Sequence, residues 1–322
     1  MRANSKVKAV LWGALLWVSG GMASPALPQP PISATAGKAS SYGSDQQLVY
    51  KEVDGRSLQL FIYKPKGWAA SDKRRVVVYF HGGGWIGGTP GAVTLHLESW
   101  RAKEMVVISV QYRLATREKL DPACCIEDAK SAMRYIRGHA AELGIDPKRI
   151  TVCGNSAGGH LAAACALLET FDCPSDDLTI SCRPDAMMLL VPVLDNGPEK
   201  GYEGRNKFIQ ANVKAYSPAH NVAPDAPPTI IFGGAKDLFA DLSRLRKFAE
   251  NMKAAGNDCE LYAYEGAHGF VYHSPDKEDI EEKMSAFLDR WASRVRLPGE
   301  PRRVGSNPQQ TNNDGRVRLM CK

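Results

Sequence analysis

The sequence has no apolar run long enough to cross a bilayer, because the run over residues 9–18 is well short of the ~20 residues that a membrane-spanning helix needs. The net charge is only +6, and several basic residues lie close to the C-terminus, so the chain has no basic stripe for nucleic acid. None of the eight cysteines has the spacing to histidines that is typical of a zinc site. We therefore expect no metal, no other cofactor and no nucleic-acid partner.

The N-terminal residues have the pattern of a secretory signal peptide. Basic residues at positions 2, 6 and 8 precede the apolar run, and small residues at positions 20, 21 and 23 suit cleavage. We predict a signal peptide over residues 1–23, no stable membrane insertion after its removal, and a secreted or periplasmic protein. The alternative, a membrane anchor, is disfavoured because the apolar run is short. Residues 24–44 and 298–322 lack hydrophobic periodicity and are predicted to be a flexible linker and a flexible basic tail.

The remaining residues, 45–297, are predicted to form one domain of the α/β class. An antiparallel hairpin is indicated by residues 47–53 and 57–64, which flank the turn pair Asp54 and Gly55. Continuous apolar runs then follow, as in strands that are buried on both faces of a parallel sheet. These predicted strands cover residues 75–80, 105–110, 150–153, 187–191, 229–232 and 259–264.

Helices are predicted between these strands. Apolar residues recur at helical spacing over 127–143, and a helix over 242–255 is bounded by Asp241 as N-cap and by Gly256 at its end. Further helical segments are predicted over 160–169 and 275–295. Alternating strands and helices predict a mostly parallel, doubly wound sheet, in which functional groups gather at the carboxyl ends of the strands.

The cysteines permit disulfide bonds if the chain is exported. The short polar loop between Cys173 and Cys182 is the most favourable place for one. Cys153 and Cys165 lie in apolar patterns and are expected to be buried free thiols.

A candidate nucleophile follows the predicted strand at 150–153. The sequence Gly154-Asn155-Ser156-Ala157-Gly158 lies between this strand and a helical run, which is the context of a nucleophile elbow. The pattern alone is short, and a glycine-rich turn with a capping serine is the alternative.

A second glycine motif supports the interpretation. His81-Gly82-Gly83-Gly84-Trp85 closes the predicted strand at 75–80, and the amides of Gly83 and Gly84, with that of Ala157, are candidates for an oxyanion hole. A phosphate-binding loop is the alternative, but the lysine and hydroxyl residues of a P-loop are missing. His81 is predicted to have a structural role.

The acid and the base are expected in loops after later strands. Asp237 follows the strand at 229–232 and is the preferred acid; Asp241 competes, although its position fits a helix cap better. His268 follows the strand at 259–264 and is the preferred base. The remaining histidines that we considered lie in helical segments or have no strand to position them; they are His139, His160, His220 and His273.

These motifs resemble the hormone-sensitive-lipase-like branch of α/β-hydrolases, and within it small bacterial esterases of acetylated or feruloylated carbohydrates. The resemblance rests on residues 81–85, 155–159 and 268–270, and it implies an α/β-hydrolase fold, a Ser156–His268–Asp237 triad and carboxylesterase activity. Two positions depart from the family pattern. Asn155 replaces an acidic residue before the serine, and Leu238-Phe239 follows the acid where many relatives have Pro-Leu.

The short, proline-rich segment before the hairpin predicts little or no cap over the site, so bulky or polymeric esters would have access. With predicted export, this favours small-molecule or polysaccharide-linked acetyl or feruloyl esters as substrates. Tyr202, Phe208 and Tyr216, in the insertion over residues 192–224, are candidates for lining the site, and packing in the core is the alternative.

Two other functions are compatible with the same motifs. A peptidase of the prolyl-oligopeptidase type shares the triad but usually adds a propeller domain, for which this chain is too short. A non-catalytic binding protein on a hydrolase scaffold, as in the plant gibberellin receptors, typically lacks the base, which His268 supplies here.

Overall fold

The computed structural model describes residues 41–115, 121–197, 212–273 and 275–294. These residues form an eight-stranded sheet in the order β1-β2-β4-β3-β5-β6-β7-β8. The pairs β1–β2 and β2–β4 are antiparallel and the remaining neighbours are parallel. The strands are β1 (Gln46–Val53), β2 (Arg56–Tyr63), β3 (Arg74–Phe80), β4 (Val106–Val110), β5 (Ile145–Asn155), β6 (Ala186–Leu190), β7 (Thr229–Gly234) and β8 (Cys259–Tyr264).

Helices cover both faces of the sheet. The described α-helices are α1 (Leu97–Arg101), α2 (Ala123–Gly138), α3 (Ala157–Leu167), α4 (Val213–Tyr216), α5 (Leu242–Ala254) and α6 (Asp276–Arg294). Short 3₁₀ helices lie at Ser41–Gly43, Pro90–Leu95, Pro218–His220 and Phe270–Tyr272. This architecture is the predicted α/β fold, with an N-terminal antiparallel pair on an otherwise parallel sheet.

The core has two parts because successive strand residues point to opposite faces. Val76 and Val78 of β3 pack in a cluster with residues of α2, α3 and α5. Val77 and Tyr79, on the other face, pack with Trp100 of α1 and with apolar residues of α6. Both faces of β3 are therefore buried, as the continuous apolar run predicted.

The predicted turn of the first hairpin is confirmed. Asp54 and Gly55 have φ values of 50° and 69°, which is the left-handed geometry of a two-residue hairpin turn. Residues Ser41–Gly43, which we assigned to the linker, form a 3₁₀ turn, and the ring of Tyr42 packs edge-on against Phe61 at 5.1 Å.

The prediction for α2 is wrong at both ends. The helix begins at Ala123 because Pro122 occupies the N-cap, and it ends at Gly138 with His139 as C-cap. Ala140 and Leu143 lie in a turn beyond the helix and are nevertheless buried. Because their spacing matches that of the helical residues before them, the sequence pattern predicted a helix that was too long. The short helix α1 and the 3₁₀ helix before it have no counterpart among the predicted elements. By contrast, Asp241 caps α5 as predicted.

A buried carboxylate ties α2 to the segment after β4. Asp128 of α2 is inaccessible to solvent and forms ion pairs at 2.8 Å with Lys51 of β1 and with Arg113. Two residues after Arg113, the Ala115 N–H donates to the carbonyl oxygen of Trp85 at 2.8 Å. This ion-pair group therefore holds a segment that supports the end of the glycine motif.

The predicted disulfide between Cys173 and Cys182 is wrong. Both residues are free thiols, as are the other cysteines in the described part of the chain. The Cys182 thiol donates to the carbonyl oxygen of Cys165 and packs against the core, whereas Cys173 lies beside Ser175. The expectation that Cys153 and Cys165 are buried free thiols is confirmed.

Several predictions concern residues that the structure does not describe. The signal peptide over 1–23, most of the linker, the C-terminal tail over 298–322, Tyr202 and Phe208 all lie outside the described residues. Among the residues that are described, none belongs to a helix with the length and apolar character that crossing a bilayer requires.

Candidate active site

Ser156 occupies the turn between β5 and α3 in a conformation that is unusual for a residue with a side chain. Its φ is 53° and its ψ is −118°. The turn is held by hydrogen bonds, because the Ser156 N–H donates to the Leu190 carbonyl at 2.9 Å and the Ser156 carbonyl accepts from the His160 N–H at 3.0 Å. This is the sharp strand-to-helix turn predicted for a nucleophile elbow.

The structure brings Ser156, His268 and Asp237 into one hydrogen-bonded chain. His268 Nε2 lies 2.8 Å from Ser156 Oγ, and His268 Nδ1 lies 2.7 Å from Asp237 Oδ2. A carboxylate oxygen accepts, so the imidazole proton is on Nδ1, and Nε2 is free to accept from the serine hydroxyl. The three residues come from the ends of three different strands.

Asp237 is oriented by the backbone that follows it. Its side chain is inaccessible to solvent, and its second oxygen, Oδ1, accepts from the N–H groups of Phe239 at 2.8 Å and Ala240 at 2.9 Å. This leaves Oδ2 for the imidazole. Asp241 instead caps α5, where its carboxylate accepts from the N–H groups of Ser243 at 2.8 Å and Arg244 at 3.2 Å.

The glycine motif forms a tight turn beside the nucleophile. Gly83 has a φ of 121°, and a side chain there would collide with the carbonyl of Gly87, so only glycine fits. Within the described residues, the N–H groups of Gly83 and Gly84 donate to no other group. Ala157 is the first residue of α3, where N–H groups have no acceptor inside the helix. In the part of the chain that the structure describes, the Gly83, Gly84 and Ala157 amides are therefore not used by the protein itself, as the predicted oxyanion hole requires.

His81 is a structural residue, as predicted. It is buried and stacks on Tyr112 at 4.4 Å, and the Tyr112 hydroxyl donates to its carbonyl oxygen at 2.7 Å. Burial lowers the pKa of its imidazole. The neutral ring therefore supports the end of β3.

His160 holds the far end of the glycine motif. Its Nδ1 accepts from the indole N–H of Trp85 at 3.1 Å, and its Nε2–H donates to the Tyr216 carbonyl at 2.7 Å. Burial lowers the pKa of His160 to about 4, so the ring keeps the neutral form that can accept from Trp85. The other four histidines lie elsewhere: His96 packs beside Trp100, His139 stacks on Tyr135, His220 pairs with Asp195, and His273 is exposed.

Three residues near the triad have contacts that motif reasoning did not identify. Asn155, His160 and Phe239 make close contacts with the glycine motif or with His268. The ring of Phe239 lies 5.1 Å from that of His268 and is half exposed. Two of these residues could have been identified from their positions in the sequence, because Asn155 directly precedes the nucleophile and Phe239 follows the acid by two residues.

Tyr216 packs in the protein interior, which was the alternative to its lining the site. It is buried against Phe171, with ring centroids 4.5 Å apart, and its hydroxyl donates to Asp121 at 2.8 Å.

A family model described as "alpha/beta hydrolase fold" matches residues 77–272, and the chain therefore belongs to this family, in its hormone-sensitive-lipase-like branch. The match runs from within β3 to the 3₁₀ helix after His268, and thus includes all the site residues described above.

Similar proteins include several esterases. Carboxylesterase NlhH of Mycobacterium tuberculosis is 43% identical over 101 residues, which are 30% of each chain, and esterase LipI of the same organism is 29% identical over 65% of this chain and 70% of its own. The chain thus aligns with only about 30% of the length of NlhH. The structure of Thermogutta terrifontis esterase 2 phosphonylated by cyclosarin has a TM-score of 0.70 and 36% identity, over 81% of this chain and 95% of that one.

Substitution of Asp237 and substitution of Asp241 should have different effects. Asp237→Asn should lower kcat for ester cleavage by about 10⁴-fold, because the amide no longer fixes the imidazole tautomer. Asp241→Ala is the matched control, and it should lower the free energy of unfolding by about 1 kcal/mol through loss of the helix cap while kcat stays within about threefold. Urea unfolding and steady-state kinetics on both variants measure these effects. A large loss of kcat in the Asp241 variant alone would show that Asp241, and not Asp237, orients the histidine.

Proposed function

We propose that this protein is a serine carboxylesterase in which Ser156 is the nucleophile, His268 the general base and Asp237 the acid that orients it. The single observation that carries the proposal is the hydrogen-bonded chain from Ser156 Oγ through His268 to Asp237, with lengths of 2.8 and 2.7 Å. The esterase names of its relatives support the same reaction class.

The geometry supports a two-step reaction through an acyl-enzyme. His268 Nε2 takes the hydroxyl proton as Ser156 Oγ attacks the ester carbonyl carbon, and it gives that proton to the leaving alcohol as the tetrahedral intermediate collapses. Water then attacks the acyl-enzyme with the same base, and release of the acid restores the serine. Asp237 stabilises the imidazolium that forms in each step, and its buried carboxylate is already held in place by two amides.

The oxyanion of each intermediate would be stabilised by the amides of Gly83, Gly84 and Ala157. Such donors act mainly on the charge that develops in the transition state, so each contributes on the order of a hundredfold or more to turnover. Their arrangement is set before substrate binds, because Gly83 is held in a turn closed by the Ile86 N–H at 3.2 Å.

We propose acetyl or feruloyl esters, including those linked to polysaccharides, as the substrates. Small acyl groups are supported by the solved structures of T. terrifontis esterase 2, which include complexes with propionate and with butyrate. An aromatic acyl group is supported by apolar side chains that are exposed on segments bearing site residues. Leu238 is 78% exposed, and the half-exposed ring of Phe239 lies beside His268.

We further propose that the protein is exported, on the basis of the signal-peptide pattern in residues 1–23. Expression of the full chain in a Gram-negative host, followed by fractionation and mass determination, tests this. The expected product is a periplasmic or secreted species that begins after position 23. Recovery of the full-length chain from the cytoplasm would contradict the proposal.

Substitution of the nucleophile tests the activity itself. The wild-type protein should hydrolyse p-nitrophenyl acetate and lose this activity on treatment with a serine-directed organophosphate that adds to Ser156. Ser156→Ala should show no enzymatic turnover and no organophosphate adduct by mass spectrometry, with an unchanged circular dichroism spectrum. Activity retained in this variant would refute the assignment, and a wild-type protein without turnover would indicate a binding protein instead.

A substrate panel tests the proposed acyl specificity. We expect kcat/KM to be highest for acetyl or feruloyl esters among p-nitrophenyl acetate, methyl ferulate, acetylated xylan and a long-chain lipid ester. Phe239→Ala should lower kcat/KM for methyl ferulate by about tenfold through loss of an aromatic contact and leave that for the acetate nearly unchanged. Leu178→Ala, at an exposed leucine on a segment that carries no proposed site residue, is the matched control. A preference for the long-chain ester would contradict the proposal.

A further inference from the structure

The side chain of Asn155 connects the nucleophile turn to the glycine motif. Its Oδ1 accepts from the Gly82 N–H at 3.0 Å and from the Tyr79 hydroxyl at 2.8 Å. Asn155 is buried, and it directly precedes Ser156 in the chain. One oxygen atom, with two lone pairs, therefore receives one donor from the glycine motif and one from β3.

The contact between Asn155 and Gly82 is tight. A side chain on Gly82 would collide with the Asn155 amide group, so the two segments approach as closely as backbone and side chain allow. Gly82 is followed directly by Gly83 and Gly84, the proposed oxyanion donors. A shift of Gly82 would therefore move both of these amides.

The same side chain also influences the pKa of Tyr272, in the segment that follows His268. Tyr272 lies in the 3₁₀ helix Phe270–Tyr272, and burial raises its pKa to about 12 while a hydrogen bond with Asn155 acts in the opposite direction. A lowering of the tyrosine pKa is expected when the Asn155 amide donates to the phenol oxygen.

We infer that Asn155 is a positioning residue for ester cleavage, whose side-chain oxygen holds Gly82 and thereby fixes the Gly83 and Gly84 amides relative to Ser156. The inference rests on the proposed carboxylesterase function. It assigns Asn155 no contact with substrate.

Such a role affects turnover more than substrate binding. Amides that point at the developing oxyanion stabilise the transition state and contribute little to the ground state, so their displacement lowers kcat and leaves KM nearly unchanged. Loss of one such donor typically lowers kcat by 10²–10³-fold. Displacement of the loop should have an effect near the lower end of this range.

Asn155→Leu is the main test, because leucine has a similar volume and no acceptor. We expect kcat for p-nitrophenyl acetate to fall by about 100-fold with KM within about threefold. Asn155→Asp keeps an oxygen at the same position and should restore kcat to within about tenfold of the wild type. Rescue by aspartate but not by leucine is the signature of an acceptor.

A second pair of variants separates positioning from stability. In Asn155→Leu the buried N–H of Gly82 and the hydroxyl of Tyr79 both lose their acceptor, which also lowers stability. Tyr79→Phe removes only the hydroxyl and should keep kcat within about threefold. The double variant Asn155→Leu with Tyr79→Phe should recover part of the thermal midpoint but none of the lost kcat.

If the wild-type protein is active, these variants decide whether Asn155 is a positioning residue. If folded Asn155→Leu keeps kcat within about threefold, or if Asn155→Asp is as impaired as Asn155→Leu, Asn155 does not act through an acceptor oxygen. If kcat recovers together with the thermal midpoint in the double variant, the residue acts on stability alone. An inactive wild-type protein would instead contradict the proposed function.

Discussion

The register of the parallel strands is the constraint on which the site depends. Phe80 at the end of β3 pairs with Gly154 of β5, so the glycine motif and the nucleophile turn leave the sheet side by side. Gly234 at the end of β7 pairs with Tyr264 at the end of β8, which places the loops of Asp237 and His268 next to each other. A shift of one residue would exchange the side chains that pack on the two buried faces of the sheet, so packing in both core clusters maintains this register.

Strand register brings the loops together, but hydrogen bonds within the loops set the distances between side chains. Asp237 is oriented by the two amides that follow it, and Trp85 is held by the neutral ring of His160. The left-handed backbone of Ser156 is maintained by Leu190 and by α3. The cost of this strained conformation is offset by the surrounding structure, as is common where a side chain must be presented to a ligand.

The succession of strands and helices along the chain, and the three residues that meet in one hydrogen-bonded chain, could be predicted from the sequence because each depends on local patterns. Continuous apolar runs identify buried strands, and a short glycine-rich segment after a strand identifies a functional turn. Contacts between residues distant in sequence have no such signature. Asn155 with Gly82 and His160 with Trp85 meet only through the sheet. The end of α2 was mispredicted because Ala140 and Leu143 face the core from a turn with the same spacing as a helix.

The free thiols have a consequence for how the polypeptide reaches its folded state. Since the described cysteines form no covalent cross-link, the described domain is held by its apolar core, hydrogen bonds and ion pairs, none of which needs an oxidation step. Cys153, three positions before Ser156 and inaccessible to solvent, is shielded from oxidants for as long as the sheet remains closed.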